Sequence, residues 1–371
     1  MKNYTVLLDE FKHRKINLTA GPACFYIESV QGCPYSCAMC PTRFTKPQKV
    51  SDDLLKRIEP SFKELEILAI HGSGEPLLGD ISYFVDQSLK HDFIVHMNTT
   101  GFFLTKTIAD TLLKARLSIR FSIHAGKSDT YKKIMGNKFE KALENIAYLV
   151  RKNRENDRNA DLWFSFIVMK ENLHEIDEFL KIAHDIGVER VRFMKLEPNS
   201  QSLRGIQMPD RAFKFNYFEQ WNSTVAKEFF KSLPHYKKLA SDLNIKIVFE
   251  PIEFSARRLH FVKNRINMAT QRRFGVALFP LMQRRGICAA PWLGQLIIRQ
   301  NGDVALCCGL PHSLGNIKHS TLREIWNSEE IKKVRESFRN NRFPRICRYC
   351  RGMAFTTYPL NSFFYKLNGG K

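Results

Sequence analysis

Six apolar, strand-like runs alternate with amphipathic stretches between residues 20 and 196, and this alternation constrains the fold of the 371-residue chain most strongly. The runs are PACFYIESV (22–30), LEILAIH (65–71), FIVHM (93–97), LSIRFSI (117–123), LWFSFIVM (162–169) and VERVRFMKL (188–196). Between two of them, helical spacing places Leu143, Ile146 and Leu149 on one face. Strands that alternate with helices of this size are typical of βα units around a parallel sheet. The sequence therefore predicts an α/β fold, a partial (β/α)6 barrel rather than a closed eight-stranded one.

Changes in residue pattern predict four segments along the chain. They are an N-terminal extension (1–21), the βα core (22–196), a helical, basic insert (197–287) and a small α+β cluster-binding domain (288–371). The domain boundaries follow the points where the strand–helix alternation begins and ends and where a second group of cysteines starts.

Two local signals predict structure within the last segment. Asn301-Gly302 lies between two apolar runs, which predicts a hairpin with a type I′ turn. Residues 320–338 predict a helix that is opened by a capping box between Thr321 and Glu324.

The charge distribution bears on location and on partners. The net charge is +21, and residues 254–302 contain no acidic side chain. This basic stretch predicts either a solvated surface or a docking surface for an anionic substrate or polymer. No apolar run approaches the ~18 residues of a membrane span, and charged residues stand where a signal peptide needs an apolar segment. The sequence therefore predicts a soluble, cytoplasmic protein without membrane contact.

Nine cysteines fall into two groups separated by a cysteine-free interval from 41 to 287. In a reducing compartment, clustered cysteines are more often metal ligands or catalytic groups than disulfides. The first group is Cys24, Cys33, Cys37 and Cys40, and the second is Cys288, Cys307, Cys308, Cys347 and Cys350. Such a split predicts two separate sites.

The stretch GCPYSCAMCPT (32–42) places Cys33, Cys37 and Cys40 in one loop after the first strand. Three clustered thiolates suit a [4Fe–4S] cluster with one iron left open. A zinc or disulfide site that recruits Cys24 is the alternative. Cys24 itself lies on the first strand, where a buried, small hydrophobic role is expected.

Further polar groups follow the later strands, at the ends where reacting groups gather in parallel βα folds. GSGEP (72–76) supplies Gly74 and Glu75, but Leu77 replaces the third glycine of a dinucleotide fingerprint. Asn98 follows the third strand, and Ser122 and His124 follow the fourth.

The cysteine loop, GSGEP, MNTTG and FSIHAG together resemble the radical S-adenosylmethionine (SAM) superfamily over residues 22–196. The resemblance implies that Cys33, Cys37 and Cys40 bind three irons while the amino and carboxylate groups of SAM chelate the fourth. It also implies SAM contacts, with Glu75 on the amino group and Met39 facing the adenine. The remaining implied cofactor-binding residues are Gly74, Asn98, Ser122 and Ser165. For His124 a packing or supporting role is expected.

Four late cysteines, Cys288, Cys307, Cys347 and Cys350, are numerous enough to complete a second [4Fe–4S] cluster or a tetrahedral zinc site. Their arrangement resembles the C-terminal auxiliary module of radical SAM enzymes, called SPASM or, in its short form, twitch. Cys308 is left over, as a replacement ligand, a core thiol or a hydrogen-atom donor in catalysis.

The resemblance implies an oxidoreductase or epimerase in which SAM is cleaved to a 5′-deoxyadenosyl radical that abstracts hydrogen from a substrate carbon. The expected substrate is a sugar, a phosphorylated metabolite or a peptide side chain, with an anionic group favoured by the basic stretch. A flavodoxin- or ferredoxin-type protein is the expected electron donor. The alternatives are a peptide maturase, a nucleic-acid-modifying enzyme and a non-catalytic metal-binding or assembly protein.

Overall fold

The computed structural model describes residues 3–136, 138–156, 160–248, 288, 290–307, 312–342 and 344. These residues form two compact units. The first contains described residues within Met1–Gln31, Gln48–Met97 and Ala269–Lys371, and the second those within Gly32–Pro47 and Asn98–Met268.

The six predicted strands are all present. They are β1 (Cys24–Ile27), β4 (Ile67–Ala69), β5 (Ile94–Thr99), β6 (Leu117–Ser122), β7 (Ala160–Val168) and β8 (Arg190–Lys195). The other described strands are β2 (Val30–Gln31), β3 (Gln48–Lys49), β9 (Ile206–Gln207), β10 (Lys214–Phe215), β11 (Lys246–Val248), β12 (Gly294–Ile298), β13 (Asp303–Ala305) and β14 (Gly315–Asn316). The α/β class with parallel strands is confirmed.

Helices separate most of these strands. The α-helices are α1 (Asn3–Lys12), α2 (Asp52–Ile58), α3 (Ile81–His91), α4 (Lys106–Leu112), α5 (Ser128–Met135), α6 (Phe139–Glu155), α7 (Ile176–Ile186), α8 (Ser200–Arg204), α9 (Tyr217–Gln220), α10 (Ser223–Asp242), α11 (Ala290–Leu293), α12 (Leu322–Trp326) and α13 (Glu329–Arg339). Short 3₁₀ turns cover Glu59–Glu64, Pro76–Leu78 and Leu173–Glu175. Within the described residues, no helix is long and apolar enough to cross a membrane.

Aromatic packing between strands and helices forms the core of the second unit. There β6, β7, β8 and β11 pair in parallel in that order. Phe166 of β7 packs against Phe179 of α7 at 4.6 Å between ring centroids. Phe193 of β8 packs against Phe229 of α10 at 5.8 Å. Because side chains alternate along a strand, this fixes one face of the strands against the helices and leaves the other for polar groups.

In the first unit, the sheet gains a strand that the sequence did not predict for it. Here β12 pairs in parallel with β1, and β1 pairs in parallel with β4. Antiparallel pairing of β12 with β13 confirms the predicted hairpin. The local sequence of a hairpin determines its turn, but not which strand pairs with its outer edge.

The predicted type I′ turn of this hairpin is wrong. Such a turn needs positive φ at both central residues, whereas Gly302 has φ +90° and Asn301 is not among the positive-φ residues. The Gly302 amide donates to the Arg299 carbonyl at 2.8 Å, as in a three-residue loop that ends in a glycine bulge. The Asn301 side chain accepts from the Asp303 amide at 3.0 Å, which stabilises the negative-φ conformation.

The helix predicted over residues 320–338 is two helices. The Thr321–Glu324 capping box is confirmed at the start of α12. The chain breaks at Asn327, whose side chain accepts from the Leu18 amide and donates to the Leu18 carbonyl, both at 3.0 Å. These contacts to a distant segment end the helix, and Ser328 caps α13 without a side-chain hydrogen bond.

A buried arginine on α13 connects the N-terminal segment to the C-terminal helices by hydrogen bonds. The Arg335 side chain is fully buried and donates to the carbonyls of Ile16, Pro291 and Trp326 at 2.7–2.9 Å. Burial lowers its pKa to about 9. The described N-terminal residues, from Asn3 onward, therefore pack as part of the first unit.

The described part of the predicted insert is mostly helical, with α8, α9 and α10 and a short β9–β10 hairpin. Most of the basic stretch 254–302 lies outside the described residues.

Candidate metal centre and cofactor site

Cys33, Cys37 and Cys40 lie half-buried in one loop of the second unit. Backbone hydrogen bonds fold the loop back on itself, from the Cys40 amide to the Cys37 carbonyl and from the Thr45 amide to the Cys33 carbonyl, both at 3.1 Å. Half-burial leaves these thiols accessible to a cofactor while the backbone restricts their positions.

Hydrogen bonds to sulfur show how the loop suits thiolate ligands. The Tyr35 amide donates to Cys33 Sγ at 3.4 Å, and the Thr42 hydroxyl lies 3.2 Å from Cys40 Sγ. Donors directed at sulfur stabilise a thiolate, and such bonds tune the reduction potential of an iron–sulfur cluster. The donor set therefore fits the expected cluster.

Among the described residues, no three Cys, His, Asp or Glu side chains are close enough together to hold a single metal ion. A zinc ion binds its ligands at ~2.3 Å from one centre. A [4Fe–4S] cluster does not require its thiolates to share one metal ion, because each thiolate binds its own iron.

Helix α5 supports the loop from one side. The Ala38 amide donates to the Ile134 carbonyl at 2.8 Å, and the Tyr35 and Tyr131 hydroxyls are hydrogen-bonded at 3.0 Å. At the end of α5, Gly136 has φ +97°, and a Cβ there would lie 2.3 Å from Ser36 Oγ. The positive φ therefore favours a glycine at this position.

Two side chains from the insert hold the loop from another direction, and the sequence did not predict either. The Arg211 guanidinium donates to the Ser36 carbonyl and hydroxyl and, at 2.7 Å, to the Lys133 carbonyl. The Asn199 amide group donates to the Met39 carbonyl at 2.8 Å. No local motif marks either residue, because their partners lie 78 to 175 positions away in sequence.

Of the predicted SAM-lining residues in the second unit, Asn98 and Ser122 lie at or next to strand ends, and Ser165 lies within β7. Ser122 and Ser165 are register partners on β6 and β7. Asn98 lies near the end of β5, and its Oδ1 is buried without a hydrogen-bond partner among the described residues. An unsatisfied buried acceptor is costly, so this atom fits a site that is completed by a donor of a bound cofactor.

Glu75 and Gly74 lie in the first unit. Glu75 is 3% exposed, and its carboxylate accepts from the Leu77 amide at 3.2 Å, which caps the 3₁₀ turn. Nearby, the Ser73 hydroxyl donates to Glu28 Oε1 at 2.7 Å. Glu28, which no sequence motif marks, is a second carboxylate beside the glycine-containing turn.

His124 is buried, and burial lowers its pKa to about 4. Its Nδ1 lies 3.1 Å from the Ser165 carbonyl and 3.3 Å from the Ile167 amide. A neutral ring that bridges β6 and β7 agrees with the expected packing role.

The second cysteine group is described only in part. Cys288 and Cys307 are 7% and 8% exposed, and Cys307 follows β13. Cys308, Cys347 and Cys350 lie outside the described residues. Cys24 is fully buried on β1, where burial raises its pKa to about 12 and opposes the thiolate that a metal needs. Its predicted role as a small core residue is confirmed.

Known protein families match the chain in both regions that contain a cysteine group. The Radical SAM superfamily pattern matches residues 27–183, and an iron–sulfur cluster-binding domain called SPASM matches 288–351. AdoMet-dependent heme synthase of Methanosarcina barkeri is 24% identical over 92% of this chain and 94% of that protein. Mycofactocin maturase MftC of Mycolicibacterium smegmatis is 23% identical over 48% of this chain and 46% of that protein.

Solved structures share the fold. SuiB of Streptococcus suis, bound to S-adenosylmethionine, aligns with a TM-score of 0.62 and 14% identity over 90% of this chain and 71% of that chain. The enzyme anSMEcpe with bound AdoMet aligns with a TM-score of 0.57 and 16% identity over 89% and 85%. The two domain matches imply [4Fe–4S] clusters and SAM as cofactors. Residues 27–183 therefore form a radical SAM domain, and residues 288–351 match a SPASM iron–sulfur domain.

Proposed function

We propose that this protein is an enzyme whose Cys33, Cys37 and Cys40 hold the [4Fe–4S] cluster for SAM cleavage. The observation that carries the proposal is the cysteine loop, in which a backbone amide and a hydroxyl contact two of the sulfurs. When bound, the cluster and SAM supply a 5′-deoxyadenosyl radical that abstracts hydrogen from a substrate carbon.

The chain's own groups bind and orient the cofactor in this proposal. Glu75 accepts from the amino group of SAM, and its burial strengthens that ionic hydrogen bond. Asn98 Oδ1, Ser122 and Ser165 supply polar contacts to the ribose and carboxylate side, and Met39 contacts the adenine. Arg211 and Asn199 keep the loop in place and thereby position its thiolates.

The second site consists, in this proposal, of Cys288, Cys307, Cys347 and Cys350 around a fully ligated cluster. Such a centre can accept or donate an electron, which favours dehydrogenation or epimerisation at the substrate carbon. A flavodoxin- or ferredoxin-type donor in the reducing cytoplasm supplies the electron for SAM cleavage.

A peptide side chain or an anionic small molecule is the proposed substrate. Two similar structures hold peptides, SuiB with precursor peptide SuiA and anSMEcpe with the Cp18Cys peptide. A heme synthase activity is the second candidate, because the M. barkeri heme synthase matches nearly the full length of both chains. Heme formation from tetrapyrrole-containing extract, measured by chromatography with and without the enzyme, separates the two candidates.

Anaerobic reconstitution of the full chain tests the proposed function. We expect about eight irons per chain for two cubanes, and release of 5′-deoxyadenosine when the reduced protein is mixed with SAM. Cys33→Ala should abolish the release, whereas the matched control Cys24→Ala should keep it because Cys24 is a core residue. Zinc in place of iron, or release that survives Cys33→Ala, contradicts the proposal.

A further inference from the structure

Aromatic and basic side chains form a surface patch beside the first cysteine loop, within the second unit. The residues of this aromatic–basic patch are Phe44, Lys46, Phe102, Phe103 and Lys138. Tyr35, which is 3% exposed, connects its parts. The Tyr35 ring contacts Phe102 and Phe103 at 6.1 Å and 6.5 Å between centroids. The Tyr35 carbonyl accepts from the Phe44 amide at 3.2 Å, so one buried residue joins two loops at this surface.

The same tyrosine connects the patch to a proposed cluster ligand. The Tyr35 amide donates to Cys33 Sγ at 3.4 Å. On the other side of the loop, the Arg43 guanidinium donates to the Cys40 carbonyl. Electron transfer between proteins weakens steeply with distance, so a redox partner has to dock close to the cluster. The aromatic–basic patch meets this requirement because Tyr35 contacts both the patch and Cys33.

Lys138 places a positive charge on the aromatic rings. Its ammonium group lies 4.1 Å from the centroid of Phe102 and 5.8 Å from that of Phe103, within cation–π distance. Lys138 is exposed to solvent. The charge is therefore available to a partner, while the rings beneath it restrict its position.

Phe44 has two features that are unfavourable in the free protein. Its side chain is 46% exposed, which forgoes the free energy of burying a large apolar group. Its backbone has φ +59°, a region that bulky residues rarely adopt. Residues held in such conformations cluster at binding and switch regions, so Phe44 fits a contact residue for a partner.

Charge in the segments that form the patch has one sign. Residues 32–47, 98–105 and 136–139 contain Arg43, Lys46 and Lys138 but no acidic residue. Aromatic residues are enriched at protein interfaces, whose rims are polar, and rim charges of one sign select a partner of the opposite sign. The patch therefore fits an acidic protein.

Nucleic acids also bind basic surfaces, by stacking bases on aromatic rings. In this patch the Lys138 ammonium lies over the Phe102 ring. Phe102 and Phe103 meet edge to face, with an interplanar angle of 82°. This arrangement favours contact with a protein over base stacking.

We propose that the aromatic–basic patch is the docking surface for an acidic one-electron carrier protein that reduces the first cluster. The carrier is oxidised by one electron and the cluster is reduced by one, without transfer of atoms. The carrier thus needs to dock beside the cysteine loop and not to enter the cofactor site. This inference rests on the proposed function, and it assigns residues to the electron donor of that function.

Binding of flavodoxin, an acidic one-electron carrier, to the reconstituted full chain tests the inference by surface plasmon resonance. We expect saturable binding that weakens as the salt concentration rises. Lys138→Glu should weaken the affinity about tenfold, and Phe44→Ser about fivefold. Lys227→Glu, at an exposed position of α10, makes the same charge change and should bind as wild type does.

The source of electrons gives a second measurement. With reduced flavodoxin as donor, Lys138→Glu and Phe44→Ser should slow the release of 5′-deoxyadenosine. With dithionite, a small reductant that needs no docking surface, both variants should release it at the wild-type rate. Circular dichroism and iron content verify that each variant is folded.

Three outcomes overturn the inference. The first is that wild type does not bind flavodoxin, or that the two variants bind it as tightly as wild type does. The second is an equal loss of release with both reductants, which would assign the residues to the cofactor site. The third is competition of flavodoxin with a 20-nucleotide poly(U) RNA whose binding the same variants lose, which would assign the patch to nucleic acid. Failure of the proposed function differs from all three, because it removes dithionite-driven release from the wild type.

Discussion

The two cysteine groups differ in how the chain encloses them. Cys33, Cys37 and Cys40 are half-buried in a loop that is held by side chains from distant elements. Cys288 and Cys307 are more than nine-tenths buried beside a helix and a hairpin strand. An accessible loop suits a cluster that must admit SAM, whereas burial suits a centre that only exchanges electrons. The exposure of the cysteines thus distinguishes the two sites, although cysteine is the expected ligand in both.

Removing one ligand from each group is expected to give the largest difference. Cys37→Ala should lose about four irons and all 5′-deoxyadenosine release, while Cys307→Ala should lose about four irons and keep the release. Iron and sulfide analysis with chromatography of the nucleoside measures both. Equal loss of 5′-deoxyadenosine release in the two variants would contradict the different roles proposed for the two sites.

The support of the first loop is tested by Arg211→Ala. This change removes several hydrogen bonds to partly buried carbonyls, at a cost of about 2–3 kcal/mol. We expect faster cluster loss from the first site, measured as iron released over time, and slower SAM cleavage. Arg204→Ala, on exposed α8 surface, is the control, and identical behaviour of the two variants would refute the proposed role of Arg211.

Acid should lower the free energy of unfolding through His124, which follows β6 in the second unit. Its folded pKa of about 4 lies below the usual 6.5, so between these values the unfolded chain binds the extra proton. Stability should therefore fall as the pH decreases from 6.5 toward 4, by about 2 kcal/mol at pH 5. Urea unfolding at several pH values measures this, and His124→Asn should flatten the dependence. An unchanged slope in that variant would assign the acid sensitivity to other groups.

Glu75→Gln is expected to have the smallest effect of the four. Glutamine keeps the size and can still accept from the Leu77 amide, but it loses the charge that would hold the amino group of SAM. We expect the Kd for SAM to rise about tenfold, measured by equilibrium dialysis of the reconstituted protein. Glu59→Gln, at a surface ion pair with Lys90, should bind SAM as wild type does, and unchanged affinity in Glu75→Gln would remove Glu75 from the site.

Local patterns predicted much of the fold correctly. All six βα strands, the C-terminal hairpin and the Thr321 capping box follow from periodicity and short-range hydrogen bonding, and all are present. The error in the C-terminal helix lies where a distant contact overrides a local preference, whereas the error in the hairpin turn has a local cause, the hydrogen bond from the Asp303 amide to the Asn301 side chain. Asn327 ends a helix because its side chain binds the Leu18 backbone, and this partner lies 309 residues away.

The sequence by itself determined the ligand types, their grouping into two sites and the parallel α/β scaffold, because spacing and periodicity are local properties of a chain. Only the tertiary structure decided that Arg211 and Asn199 hold the cysteine loop, that β12 joins β1, and that Tyr35 packs against Phe102 and Phe103. Strand register and side-chain burial bring these groups together. Neither can be predicted from local sequence patterns, because the groups lie tens to hundreds of residues apart.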